Sequence, residues 1–392
     1  MTERYNIIYV ANTFTERAFR KYFTDRRNLP GQAAAKYSRL LAEGLAMQDD
    51  VSVTVISEMP ADETNCAARL TGRKTELFRG VKYVYLPLVN IHRVKDILSV
   101  ITAFLETIRY IRNGRSAVVA DILAAPAAFG GYLAARIKRV PYVALVTDFP
   151  EYEYGPHDRA YRTVSEMLLA SASHYVFLTG EMNIKVNDHK RPYAVIEGMA
   201  DIRQKSRTVG DKKKDGSRTI LYTGSLDRKY GIEMLTEAFI KADIKGTELH
   251  ICGSGEMAEE LRQASDKNDK IIFHGSVPSD EAVKMQKAAT LLVNPRPSHP
   301  EYTKYSFPSK TTEYMSSGTA VLMTDLPGVP DEYKEHVYII DDESVDGIAD
   351  SLTKVLSKPD EELEAKAMEA YEFVLNEKNN KIQAEKVMGL LK

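Results

Sequence analysis

Lys310 and Glu313 stand close together in YSFPSKTTEYMSSG (residues 305–318), directly ahead of the apolar run TAVLMT. A proline, serines, one lysine and one glutamate at the start of a helical pattern suggest anion chemistry. Pro308 suits a first helical turn, Ser306 or Ser309 can cap it, and free backbone N–H groups there attract anions. Phe307 and Thr311 complete the candidate contacts of this loop. Lys310 adds a full positive charge, and Glu313, about one turn on, can accept hydrogen bonds from a diol such as a ribose. Phosphate on the helix start and sugar hydroxyls on the glutamate describe a nucleoside diphosphate. Plain capping, with Glu313 complementing the helix dipole, is the competing reading.

Two further loops follow apolar runs. In YTGSLDRKYG (222–231), Gly224 and Ser225 end a strand, and Arg228 and Lys229 precede a helical pattern. Glycine admits a ligand close to the backbone and adjacent cations neutralise phosphate, although solvated charges on an ordinary turn read the same way. In HICGSGEMAEEL (250–261), Gly253, Ser254, Gly255 and Glu256 lie between strand and helix and resemble the G-x-G-x-x-A of dinucleotide-binding folds. That fingerprint needs an acidic residue at the end of the next strand, but KIIFHG ends in His274 and Gly275. Nicotinamide and flavin binding are therefore disfavoured.

These loops need a scaffold. A chain of 392 residues with 44% hydrophobic content exceeds what one core usually serves, so two domains are expected. Lysine plus arginine (53) nearly cancel aspartate plus glutamate (55), and a net charge of -2 offers no global attraction for nucleic acid. Cys66 and Cys252 lie far apart and outside any Cys/His cluster, which argues against a disulfide framework or zinc site and fits a reducing cytosol. The N-terminus, MTERYNIIYVAN, reads as a first strand rather than a signal peptide, and no segment reaches the roughly 20 apolar residues of a membrane span.

Short β-branched runs alternate with helical patterns: YNIIYVA (5–11), a helix from about 33 to 47, VSVTVIS (51–57), VKYVYLP (81–87), SAVVADIL (116–123), YVALVTD (142–148) and HYVFLT (174–179). After the polar segment 203–218 a second series begins: TILYTG, ELHICG, KIIFHG, TLLVNP, TAVLMT and VYII. The basic triplet Lys212, Lys213, Lys214 within the linker reads as solvated. Such alternation predicts parallel sheets in two doubly wound α/β domains, with the ligand site expected in the cleft between them, outside the carboxyl ends of the strands. The expected boundaries are 1–205, a linker at 206–217, a second domain at 218–375, and a C-terminal helix at 376–392 packing back on the first.

From TILYTGSLDRKYGIEMLTEAF through HICGSGE and IIFHGSVPSDEAVKMQKAATLLVNPR to FPSKTTEYMSSGTAVLMTDLPG, the chain resembles the nucleotide-sugar-binding domain of family 4 glycosyltransferases with the GT-B fold, of the bacterial polysaccharide-assembly type. NLPGQAAAKYSRLLAEGL (28–45) resembles the glycine-rich loop and first helix of that family, which makes Gly31 and Gln32 candidate backbone contacts for the donor diphosphate. IEGMAD (196–201) resembles the segment closing its first domain. Departures are specific. Glu313 matches the second glutamate of the family's pair while Tyr305 stands at the first. Ser225 and Tyr230 replace the Arg and Lys of the diphosphate clamp, so Arg228, Lys229 and, above all, Lys310 are the substitutes. Thr147-Asp148 stands where His-Asp is usual, and His157 reads as a surface residue.

The resemblance implies a retaining, metal-independent transfer without a cofactor, from a UDP-sugar, or a GDP-sugar, to a glycan or a lipid-diphosphate-linked acceptor. Lys310 would stabilise the departing diphosphate, Glu313 would hold the ribose, Asp148 would serve the acceptor side, and the backbone at 253–256 and from Gly275 to Val277 would surround the base. Aromatic and basic residues interleave in 12–28. Phe19, Arg20, Lys21, Phe23, Arg26 and Arg27 there suit a membrane surface or a lipid-linked acceptor, or equally a buried aromatic helix face with a charged exterior. The expected location is cytoplasmic, or peripheral at the cytoplasmic face of the membrane. A nucleotide-sugar 2-epimerase of the same fold and a non-catalytic nucleotide-binding partner subunit are the rival readings.

Overall fold

The computed structural model describes residues 4–23, 33–59, 70–89, 91, 94–112, 114–204 and 217–391. The chain divides into two compact units, Met1–Met199 with Asn380–Lys392, and Ala200–Asn379.

Unit 1 is built on an eight-stranded sheet. Its strands are β1 (Tyr5–Val10), β2 (Val51–Ser57), β4 (Lys74–Phe78), β5 (Val81–Tyr85), β7 (Ser116–Asp121), β8 (Tyr142–Val146), β9 (His174–Phe177) and β10 (Tyr193–Val195), while β3 (Leu70–Thr71) and β6 (Leu88–Val89) pair in a small separate ribbon. The order across the sheet is β10-β9-β8-β7-β1-β2-β5-β4, parallel except for the edge strand β4, which runs antiparallel to β5. The central strands bury both faces, which is why β7 and β8 read as unbroken apolar runs rather than as alternation. The order reverses between β1 and β7, and Asp121 closes β7 there.

The helix Ala33–Leu45 covers one face and the C-terminal helix Asn380–Leu391 lies beside it, placing Ala384, Val387 and Met388 in the core with Leu41, Leu45 and Ile196. Glu43 of the first helix is fully buried, and Arg39 and Arg79 pair with it at 3.0 Å each, so its charge is compensated.

Unit 2 has six parallel strands: β11 (Arg218–Ser225), β12 (Thr247–Ser254), β13 (Ile271–Gly275), β14 (Leu291–Asn294), β15 (Ala320–Thr324) and β16 (Tyr338–Ile340). Their order is β13-β12-β11-β14-β15-β16, with the reversal between β11 and β14. In such sheets the crevice beyond the strand ends at the reversal is where ligands bind, and it lies where the three sequence-predicted loops converge. No described helix is long and apolar enough to cross a membrane.

Candidate functional site

The two central strands of unit 2 separate at their carboxyl ends. β11 pairs with β14 only at Ile220 and Leu221, whereas its pairing with β12 continues to Ser225. The Thr223 N–H consequently lacks a strand partner on the β14 side, and the Tyr314 hydroxyl supplies one. Tyr314 Oη accepts from Thr223 N at 2.9 Å and donates to the Thr223 carbonyl at 3.1 Å. Tyr314 is fully buried, and burial holds its hydroxyl well above the ordinary tyrosine range, so it stays a proton donor.

Tyr314 belongs to the helix Ser309–Met315, which carries Lys310 and Glu313. Pro308 occupies the position before the first helical residue rather than the first turn, and no side chain caps the helix. Ser306 instead faces the Arg296 guanidinium. Ser309 is exposed, and Thr311 and Pro308 are buried. Phe307 packs against Tyr333 with ring centroids 5.1 Å apart, which makes it a core residue and not a surface for a ligand.

Glu313 is oriented from two sides. Gln286, on the helix Ser279–Ala288, donates from Nε2 to Glu313 Oε1 at 2.7 Å and to Thr223 Oγ1 at 2.8 Å, and Lys310 Nζ donates to the same Oε1 at 3.1 Å. Gln286 is buried, while Lys310 and Glu313 keep 30% and 22% of their side chains exposed, so the pair remains open to a ligand. Lys310 also lies over the end of β11: its Cε is 3.4 Å from where a Cβ on Gly224 would stand. Nearby, burial pushes the Cys252 thiol up to about 11, which keeps it neutral.

The other predicted contacts divide. Ser225 Oγ donates to Asp227 Oδ2 at 2.8 Å. The Arg228 guanidinium is engaged by Glu233 and Glu260, each at 2.5 Å, and the Arg228 backbone N–H donates to Glu256 Oε1 at 2.9 Å. Arg228 thus ties loop to loop, and a phosphate would have to displace two carboxylates to use it. Lys229 Nζ lies 5.2 Å from the Tyr230 ring centroid. A Cβ on Gly253 would fall 1.8 Å from the Gly224 carbonyl oxygen and one on Gly255 2.6 Å from the Leu226 carbonyl carbon, so these glycines serve loop-to-loop packing. Ser254 accepts from the Leu226 N–H at 2.9 Å. Gly275 ends β13 at φ +66°, with Val277 half-buried beyond it.

In unit 1, Asp148 is half-buried just beyond β8, and His157 is exposed. Phe14 and Phe23 are buried with Phe19 stacked on them, centroids 5.1 to 5.9 Å apart, while Arg17, Arg20 and Lys21 of the helix Glu16–Tyr22 face outward. Of the two readings of 12–28, Phe23 follows the buried aromatic face, and Phe19 packs partly buried against it. Gly31, Gln32, Arg26, Arg27 and the linker lysines lie outside the described residues. Among the described residues no three His, Cys, Asp or Glu side chains are grouped to hold a metal ion.

Thr223, Gln286, Tyr314 and Arg296 were not singled out by sequence reasoning. The signal available for Arg296 was a charged residue two positions after the apolar strand LLVN.

Residues 203–372 match the family model described as glycosyl transferases group 1. No curated protein matches the chain in sequence. Sucrose-phosphate synthase from Thermosynechococcus elongatus is similar in structure over 99% of this chain and 98% of its own, at 16% identity and a TM-score of 0.71. An α,α-trehalose-phosphate synthase from Burkholderia xenovorans, solved with glucose-6-phosphate, covers 99% of this chain and 100% of its own at 10% identity and a TM-score of 0.69. HepE of Anabaena, solved with UDP and glucose, covers 99% of each chain at 13% identity and a TM-score of 0.64. The chain therefore has the two-domain α/β fold of GT-B glycosyltransferases, and the stretch matched by the group 1 glycosyl transferase model is the one that carries Lys310, Glu313 and the crevice between β11 and β14.

Proposed function

We propose that the chain is a retaining, metal-independent glycosyltransferase. It moves a hexose from a UDP-sugar to a glycan or lipid-linked acceptor in polysaccharide assembly, working in the cytoplasm or at the cytoplasmic face of a membrane. The observation that carries this reading is the Lys310–Glu313–Gln286 arrangement at the strand reversal of unit 2: a cation and an oriented carboxylate beside the end of β11 at Gly224. Lys310 neutralises the charge that develops on the leaving diphosphate, which is an electrostatic route to catalysis that needs no protein nucleophile. Glu313, held by Gln286, accepts hydrogen bonds from the ribose hydroxyls, and Asp148 in unit 1 serves the acceptor. UDP is favoured as the carrier because HepE is solved with it.

The test is the melting temperature of the purified chain with UDP, GDP, ADP, CMP and NAD. A ligand at about 100 times its Kd adds roughly 2.7 kcal/mol to the folded state. UDP should raise the transition selectively. Lys310→Met should lose most of that rise while melting normally without ligand, since a partly exposed ion pair contributes little stability. Silence with every nucleoside diphosphate, or Lys310→Met binding UDP like the native chain, would sink the reading. UDP release from UDP-glucose that rises only with an added glycan acceptor separates transfer from epimerisation.

A further inference from the structure

Arg296 carries a positive charge into a place where no described carboxylate pairs with it. It lies just beyond β14, at the carboxyl end of the unit 2 sheet, and is 8% exposed. Its guanidinium lies over two rings, 5.5 Å from the centroid of Tyr230 and 5.0 Å from that of Tyr302. Nη1 and Nη2 reach Ser306 Oγ only at 3.4 and 3.5 Å, the outer limit of a hydrogen bond, and Nε has no acceptor. No described carboxylate pairs with it. An unpaired buried guanidinium is costly, because the solvation it gives up is not replaced, and an anion would replace it.

The surroundings hold this charge in position. Gly231, at φ +76°, presses on the preceding segment so closely that a Cβ there would fall 2.1 Å from the Pro295 carbonyl oxygen. Only glycine permits that approach, and it seats Tyr230 against the residue that follows Pro295. Lys310 borders the same edge. Its Cε and the Tyr222 hydroxyl lie 3.4 and 3.1 Å from the Cβ position of Gly224, and the charge of Arg296 acts on that same hydroxyl. Lys310, at the end of β11, has a carboxylate partner in Glu313.

We propose that Arg296 binds the diphosphate of a nucleoside diphosphate. The guanidinium lies over the Tyr230 and Tyr302 rings and carries its N–H donors in one plane, the geometry that suits phosphate oxygens. This rests on the reading of unit 2 as a nucleotide-sugar site.

Titration calorimetry of the full chain with UDP, uridine and inorganic pyrophosphate tests it, using the native protein, Arg296→Met and Arg296→Lys. Arg296→Met should weaken UDP and pyrophosphate roughly 10- to 100-fold and leave uridine unchanged. Arg296→Lys should fall between, because it keeps the charge but not the planar fork. A native UDP-to-uridine ratio in Arg296→Met overturns the proposal, and if that variant does not fold, a native ratio in Arg296→Lys does so. Native protein that binds pyrophosphate through Arg296 but no nucleoside diphosphate overturns the functional reading while supporting the anion site. Binding of neither overturns both.

Discussion

Gln286 Nε2 lies 2.7 Å from Glu313 Oε1, so the carboxylate assigned to the ribose is aimed by a buried amide from another helix as well as by Lys310 of its own. The amide has two N–H hydrogens and the second goes to Thr223, which leaves the side chain no rotational freedom. Gln286→Leu keeps much of the volume and removes this control. A hydrogen bond to a charged group contributes about 1.5–3 kcal/mol, so the variant should lose roughly tenfold of the preference for UDP over its 2′,3′-dideoxy analogue. Combined with Glu313→Ala the two losses should be strongly non-additive. Calorimetric Kd values for the four proteins decide it, and simple additivity would show that Gln286 does not act through Glu313.

Tyr314→Phe should cost stability directly. The hydroxyl it removes is the partner of both the Thr223 N–H and the Thr223 carbonyl, at a point where β14 has already left β11. Stranding a buried donor or acceptor costs about 1–3 kcal/mol. Urea denaturation should show a lowered midpoint with an unchanged slope, and a midpoint equal to that of the native chain would mean that the strand end closes without the tyrosine.

Asp121 makes unit 1 pH-sensitive. Burial pushes its carboxyl up to about 6, with Leu123 N–H on Oδ1 opposing the shift and Glu153 adding to it. The unfolded chain gives up this proton near pH 4 while the folded chain holds it until about pH 6, so the folded state binds the extra proton between them. Stability from this group is therefore full below about pH 4 and falls as pH climbs to about 6, by about 3 kcal/mol. Asp121→Asn still accepts from Leu123 and cannot ionise. Its advantage over the native protein in chemical denaturation should grow from pH 4 to 6 and then level off; a constant difference across that range would show that Asp121 is ionised without penalty.

Much of this architecture is legible in the residues, for a physical reason. Strands such as SAVVAD and YVALV are buried on both faces, and burial on both faces leaves an apolar run that needs no partner to be noticed. β4, KTELF, carries no such run, because an edge strand is protected by charge and half of it faces water. The loops were found because glycine, proline and cations at strand ends have local meaning. Their roles were less legible: Ser306 turns to Arg296, Arg228 to two glutamates, and Gly253 to Gly224, all through contacts that spacing does not encode. The residues that aim the site were missed for the same reason, since Thr223 meets Gln286 and Tyr314 across 63 and 91 positions of chain.

The helix Asn380–Leu391 gives unit 1 part of its core although the whole of unit 2 separates it from Met199 in the chain. On the ribosome, residues 1–199 emerge first yet have no Ala384, Val387 or Met388 to bury. The first unit to be synthesised is thus the last that can be completed, and it must wait with an open apolar face, a natural client for a chaperone, until translation has passed through the entire second unit.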